Sequence, residues 1–112
     1  MENGKVVYEY NMMMIERYTG ETKDALSEGK HLIEVVTNVL TPKPLSEATV
    51  TINVDGKEQA VIKVGRTVPA AFTASESFNV GIDLGSPVSA RYFEKAPFKF
   101  DGKINTVKID LI

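Results

Sequence analysis

Residues 49–64 read Thr-Val-Thr-Ile-Asn-Val-Asp-Gly-Lys-Glu-Gln-Ala-Val-Ile-Lys-Val and carry the strongest fold signal in the chain. On both sides of Asp55-Gly56, apolar and polar residues alternate, as in strands that bury one face. Asp-Gly is a favoured turn dipeptide between antiparallel strands. The stretch therefore predicts a β-hairpin.

The alternation also predicts the register of this hairpin. A plain two-residue turn would set Ile52 opposite Gln59, whereas a three-residue loop with a glycine bulge sets Ile52 opposite Ala60 and Val50 opposite Ile62. A slip of one residue turns the apolar side chains away from the core. We therefore expect the bulged register.

Residues 6–18 are rich in β-formers and predict one long strand. Period-two alternation puts five side chains on one face: Val6, Tyr8, Tyr10, Met12 and Met14. A helix is the competing interpretation because Met favours helices. No capping residue opens the segment, and β-branched and aromatic residues dominate it, so a strand is preferred.

Between these two segments, residues 22–29 predict one helical turn or a loop that ends at Gly29. Residues 31–40 have apolar side chains on both faces, which is typical of a central strand covered on both sides. Pro42 and Pro44 would end that strand, because proline cannot donate a ladder hydrogen bond.

Beyond the hairpin, residues 65–97 predict short strands in long loops, and residues 98–111 predict strands with a break near Asn105. About seven or eight short strands without an amphipathic helix indicate an all-β fold. We expect an antiparallel β-sandwich, jelly-roll or concanavalin-like, with little or no helix. Residues 1–4 would be a disordered or artificial start, and residues 5–112 a single β-sandwich domain.

Composition excludes several classes of function. The chain has 112 residues, no Cys, one His and a net charge of −2. One domain of this size has no room for a second catalytic module. Thiolate chemistry, disulfides and His-rich metal centres are impossible. Scattered charges and short apolar runs argue against nucleic acid as a partner and against a membrane span, and no cofactor is expected.

Few residues are candidates for chemistry. His31 is the one group that would titrate near neutral pH, and we expect it to bond structurally across the loop before it. Asp55 and Asp101 each precede Gly, where the carboxylate would bond its own turn backbone. Asp83, in Gly-Ile-Asp-Leu-Gly-Ser-Pro, is a weak candidate for calcium, with an Asx-type turn as the preferred interpretation.

Several pieces occur in a familiar order. They are Val-Tyr-Glu-Tyr-Asn at 7–11, Gly-Lys-His at 29–31, Val-Asp-Gly-Lys at 54–57, Gly-Arg-Thr-Val-Pro at 65–69, Glu-Ser-Phe-Asn-Val-Gly-Ile-Asp-Leu-Gly-Ser-Pro-Val at 76–88, and Pro-Phe-Lys-Phe-Asp-Gly-Lys-Ile at 97–104. Together they resemble the non-catalytic C-terminal region of large bacterial arylsulfatases. The resemblance runs from about residue 5 to residue 111.

The resemblance implies a module without catalytic residues. Arylsulfatases use a formylglycine made from Cys or Ser in a Cys/Ser-x-Pro-x-Arg motif, with calcium held by acidic residues. Here the one Ser-Pro, at Ser86, is followed by an arginine at the wrong spacing, Arg91. The chain alone would be no enzyme, its partner would be the sulfatase catalytic domain, and the parent would be a sulfuric ester hydrolase with a periplasmic or exported location.

Two surfaces are candidates for binding. Met12, Met13, Met14 and Ile15 put apolar side chains on both faces of a strand, which suits docking on a catalytic domain because thioethers adapt to irregular surfaces. The alternative is a carbohydrate-binding module for sulfated glycans. There Tyr92 would stack on a sugar, with Arg91 or Lys95 for the sulfate group.

Overall fold

The computed structural model describes residues 1–69, 78–84, 88–95 and 98–111, with the backbone alone described at Tyr92. These residues form five strands: β1 (Val7–Met12), β2 (Glu16–Glu21), β3 (Ile33–Val39), β4 (Ala48–Val54) and β5 (Lys57–Val64). One 3₁₀-helix, η1, spans Ala90–Lys95. No α-helix occurs in the described part of the chain, so the predicted all-β class is confirmed.

The strands form two antiparallel sheets. β1 and β2 make a two-stranded ribbon, and the other sheet has the order β3-β4-β5. Since the described residues contain five strands and not seven or eight, the jelly-roll or concanavalin-like topology stays a prediction.

The β4–β5 hairpin has the predicted register. Ile52 lies opposite Ala60, and Val50 lies opposite Ile62. This register places alternate residues of β4 in the core, so that its buried side chains are Ala48, Val50, Ile52 and Val54.

The three-residue loop predicted for this hairpin is wrong. Val54 pairs with Lys57, so the turn has two residues, Asp55 and Gly56, with φ values of 52° and 79°. Positive φ at both positions is the type I′ geometry that continues the right-handed twist of the strands. The register shifts between Ile52 and Asn53, which makes Gln59 the extra residue; the bulge lies in β5 and not in the loop.

The single long strand predicted over residues 6–18 is also wrong. The chain reverses after Met12, which pairs with Glu16, and Met13 and Met14 have φ values of 52° and 64°. The side-chain oxygen of Asn11 accepts a 2.8 Å hydrogen bond from the Met14 N–H and closes the turn. The interpretation failed because methionine has no turn chemistry of its own.

The ribbon packs on one face of β4 and β5. The core consists of Ala48, Val50, Ile52, Ile62 and Val64, with Val6, Tyr8, Tyr10, Tyr18 and Ala60 packed against it. β2 approaches β5 at Gly20, where an added Cβ would overlap the side chain of Ile62. A glycine at this position therefore permits the close contact between the two sheets.

β3 is not the central, covered strand that the sequence predicts. In the described sheet it lies at an edge and pairs with β4 alone. Ile33, Val35 and Val39 share the face of the core but stay 40%, 47% and 49% exposed. The ribbon covers β4 and β5 and leaves this part of the face open. Residues 22–29, for which one helical turn was an alternative, form a loop.

The chain divides into two compact units, Met1–Thr73 and Ala74–Ile112. All five strands belong to the first unit. In the second, residues 98–111 form no strand, contrary to the prediction, and Phe78 is exposed. Of the short strands predicted over residues 65–97, none forms in the described residues 65–69, 78–84 and 88–95, and residues 70–77 lie outside the description. A single domain over 5–112 stays a prediction. Within the first unit, Glu2 and Lys5 exchange backbone hydrogen bonds around a tight turn.

Candidate functional site

The tip of the β1–β2 hairpin carries three consecutive apolar side chains in solvent. Met13, Met14 and Ile15 are 58%, 79% and 70% exposed. Met12, the fourth residue predicted for docking, is 3% exposed, because it is the last residue of β1 and alternation turns it inward. Met12 is therefore excluded from the surface, and we call Met13, Met14 and Ile15 the apolar tip.

The backbone of the apolar tip is hydrogen-bonded but conformationally costly. The Ile15 N–H donates to the Met12 carbonyl at 2.9 Å, and the Met13 N–H donates to the Asn11 carbonyl at 3.1 Å. Left-handed φ values cost a residue with a Cβ about 1–2 kcal/mol. Strain of this kind is concentrated where a site constrains the choice of residue. Met13 and Met14 therefore raise the free energy of this turn, and the rest of the hairpin holds them in it.

A polar cluster anchors the base of the tip. Glu16 directly follows Ile15, and its carboxylate accepts hydrogen bonds from Arg66 and from the Tyr18 hydroxyl. The Arg66 hydrogen bond, followed by that of Tyr18, lowers the pKa of Glu16 below its usual value. The Glu16 bond raises the pKa of Tyr18. Because Arg66 follows β5, this cluster ties the ribbon to the larger sheet beside the apolar tip.

His31 joins three parts of the first unit. Its Nδ1 lies 2.7 Å from Asp55 Oδ2, and its Nε2 lies 2.8 Å from the Ser27 carbonyl oxygen and 3.3 Å from Ser27 Oγ. Asp55 Oδ1 also accepts a hydrogen bond from the Leu32 N–H at 2.9 Å. The loop before β3, the start of β3 and the β4–β5 turn are thereby connected.

The order Ser27, His31, Asp55 has the composition of a nucleophilic triad but not its chemistry. A triad histidine must keep one ring nitrogen unprotonated to accept the serine proton. Here both nitrogens of His31 face acceptors, a carboxylate and a carbonyl, which favours the doubly protonated ring. The Asp55 bond and then the Ser27 backbone bond raise the pKa of His31. Neither ring nitrogen is left free to accept the serine proton, and we call Ser27, His31 and Asp55 the His31 clamp.

The clamp confirms the structural bond predicted for His31 and corrects the role of Asp55. The Asp55 carboxylate bonds His31 and Leu32 across the sheet and not its own turn. The bond to His31, followed by the bond from the Leu32 N–H, lowers the pKa of the Asp55 carboxyl. Sequence reasoning missed Ser27, because its closest contact with His31 is through a backbone carbonyl, which every residue has.

The residues proposed for a sulfated glycan all lie in η1. Arg91 and Lys95 are four positions apart, and a 3₁₀-helix turns once every three residues, so they emerge about 120° apart. The Arg91 N–H donates to the hydroxyl of the buried Ser89 at 3.1 Å. The side chain of Tyr92 lies outside the description. A ligand site at Tyr92, Arg91 and Lys95 stays a prediction.

Metal binding and membrane crossing have no support in the described residues. They contain no group of three or more His, Asp or Glu side chains able to hold a metal ion, and Asp83 is not part of such a group. Residues 85–87, which would complete the loop proposed around Asp83, lie outside the description. None of the described helices has the length and apolar character needed to cross a membrane.

Comparison with known proteins adds no relative to this picture. No family model matches the chain, and no curated protein or solved structure shows significant similarity to it. The assignment of a function therefore depends on the residues and geometry described above.

Proposed function

We propose that this chain is a non-catalytic all-β module that packs against an enzyme's catalytic domain, and that the enzyme is a sulfatase of the bacterial arylsulfatase kind. The resemblance of the sequence to the C-terminal region of those enzymes supports the identity of the partner. The apolar tip supports docking as the activity, and it is the single observation on which the proposal depends.

The apolar tip has the properties of a contact that a partner covers. Three apolar side chains in a row on a hairpin tip gain little from the fold of this chain, because 58–79% of their surface remains in water. Two of them are methionines, whose unbranched side chains adjust to irregular surfaces. Glu16, which directly follows Ile15, pairs with Arg66 and places polar groups next to the tip. An apolar centre with a polar rim is the usual anatomy of an interface.

The proposal is tested by binding to the catalytic region of a bacterial arylsulfatase that lacks its own C-terminal region. Isothermal titration calorimetry with the full chain should show association. Met14→Lys should weaken it at least about tenfold, because a charge would be buried at the interface. Absence of binding, or unchanged binding by Met14→Lys, would contradict the proposal.

A matched control separates the tip from general surface charge. Val61 is 50% exposed and lies on β5, far along the chain from the tip. Val61→Lys adds the same charge at another apolar surface position and should leave the association constant unchanged. An equal loss with both variants would mean that binding depends on net charge and not on the tip.

The same proposal makes the isolated chain inactive towards sulfate esters. The formylglycine motif is missing from the sequence, and both ring nitrogens of His31 are bonded to acceptors. An assay with 4-nitrophenyl sulfate should give no turnover above buffer. Turnover that copurifies with the folded chain would contradict a non-catalytic role.

A further inference from the structure

The two edges of the β3-β4-β5 sheet are built differently. β5 has Lys57 and Lys63 and a bulge at Gln59, which are devices that prevent pairing with another strand. β3 has no lysine, no proline and no bulge along its seven residues. Of the two edges, β3 is the one suited to accept a further strand.

The hydrogen-bonding positions of the open edge follow from the ends of β3. The Asp55 N–H donates to the Leu32 carbonyl at 2.9 Å, and the Leu40 N–H donates to the Glu47 carbonyl at 2.9 Å. Antiparallel ladders alternate, so the even-numbered residues of β3 exchange bonds with β4. The odd-numbered residues direct their N–H and C=O groups to the open edge: Ile33, Val35, Thr37 and Val39.

From this edge we infer that two copies of the chain pair through β3, antiparallel about a twofold axis at Val36, and join their sheets into one of six strands. The inference does not rest on the proposed function. It uses a different surface from the apolar tip.

The register centred on Val36 pairs all seven residues of β3. Ile33 lies opposite Val39 of the second copy, and Val35 lies opposite Thr37. These are the residues with outward N–H and C=O groups, so every pair of them exchanges hydrogen bonds. Their side chains share one face, which continues the half-exposed apolar surface of each sheet into that of the other copy.

Charge also favours a second copy as the occupant. Glu34 is the one charged side chain of β3, and it accepts a 2.8 Å hydrogen bond from Asn53 on β4. In the proposed register it lies opposite Asn38 and not opposite the other Glu34. No like charges face each other, which is a condition for stable cross-strand pairing.

A cysteine introduced at the axis tests the register directly, since the chain has none. Val36 would face its own copy in a non-hydrogen-bonded pair, with Cα atoms about 4.5 Å apart, a separation that a disulfide spans. Val36→Cys should therefore give a covalent dimer in mild oxidant. Asn38→Cys would face Glu34 and should stay monomeric in denaturing gels, as should Val61→Cys on β5.

The unmodified chain should be dimeric at sub-millimolar concentration by light scattering, with twice the 12.3 kDa mass of one chain. Thr37→Pro removes an outward N–H that β4 does not use and should raise the dimer dissociation constant at least about tenfold. A monomeric wild type would overturn the inference, and protected outward amides in hydrogen exchange would then assign the edge to another segment of this chain. Equal crosslinking at Val36, Asn38 and Val61 would also overturn it.

Discussion

The two hairpins of this chain solve the same backbone problem with opposite residues. At the β4–β5 turn, Asp55 and Gly56 have φ values of 52° and 79°; at the β1–β2 turn, Met13 and Met14 have 52° and 64°. Asp and Gly adopt this left-handed region at low cost, whereas Met adopts it rarely. The first turn is specified by its own sequence, and the second is imposed by its surroundings.

The surroundings that impose the second turn are visible. Asn11 holds the Met14 N–H, Glu16 binds Arg66, and Gly20 lets the ribbon approach Ile62. Met13 and Met14 disfavour the turn they form, and their side chains remain in solvent. In our account these residues are explained by contact with a partner.

The largest expected effect is on the support of the β1–β2 hairpin. Ile62→Ala removes the buried side chain on which Gly20 rests and should cost about 2–5 kcal/mol of unfolding free energy. In native-state hydrogen exchange, the amides of β1 and β2 should lose more protection than those next to the Asp55-Gly56 turn. Equal loss in both hairpins would contradict the difference between them.

The next effect tests the turn that is specified by its own residues. Gly56→Val places a β-branched residue at a φ of 79° and should cost about 1–2 kcal/mol. Urea unfolding measures the loss. The control is Gly81→Val, at a φ of 76° in the second unit and outside both hairpins, which should leave the exchange protection of β4 and β5 intact.

The opposite change at the other turn should stabilise the chain. Met14→Gly removes the cost of a left-handed φ, which is about 1–2 kcal/mol. It also increases the conformational entropy of the unfolded chain, which lowers the free energy of unfolding by about 0.4–1 kcal/mol. The expected net gain is about 0.5–1 kcal/mol in urea unfolding. A destabilised variant would show that the exposed Met14 side chain contributes to the fold, contrary to our account.

The smallest effect concerns the His31 clamp, which the β4–β5 turn has and the apolar tip lacks. The pKa of His31 is raised on folding, so its contribution is fully present below about pH 6.5 and is lost as the pH rises through the folded-state pKa. The pKa of Asp55 is lowered, so its contribution is lost as the pH falls below about 3.9 towards the folded-state value.

His31→Gln should therefore lower the free energy of unfolding at pH 5.5 more than at pH 8.5, in urea titrations at both values. Lys30→Gln, which removes the neighbouring cation, should show no such dependence. A deficit of His31→Gln that is the same at both pH values would mean that the clamp works without the proton.

The sequence predicts the fold best where its local chemistry is self-sufficient. Alternation around Asp55-Gly56 predicts β4, β5 and their register, and the phase of Val6, Tyr8 and Tyr10 predicts the inner face of β1. Both depend on period-two alternation and turn residues alone, which are local properties.

The rest depends on tertiary contacts that have no local signature. The reversal at Met13 and Met14 contradicts residue preference, although Asn11 is a turn residue that could have marked it. The bulge at Gln59 has no turn residue to mark it within β5, and the bond between His31 and Asp55 joins residues 24 positions apart. The apolar tip was located by composition, but the separation of exposed Met14 from buried Met12, which alternation puts on one face, required the hairpin itself.

The most direct test of the account replaces the disfavoured turn by a favoured one. The double variant Met13→Asn with Met14→Gly has the preferred type I′ residues at the tip of the same hairpin. We predict that it is more stable than the wild type in urea and binds the arylsulfatase catalytic region at least about tenfold more weakly in calorimetry. A variant that gains stability and keeps full affinity would contradict the claim that the apolar tip is the docking surface.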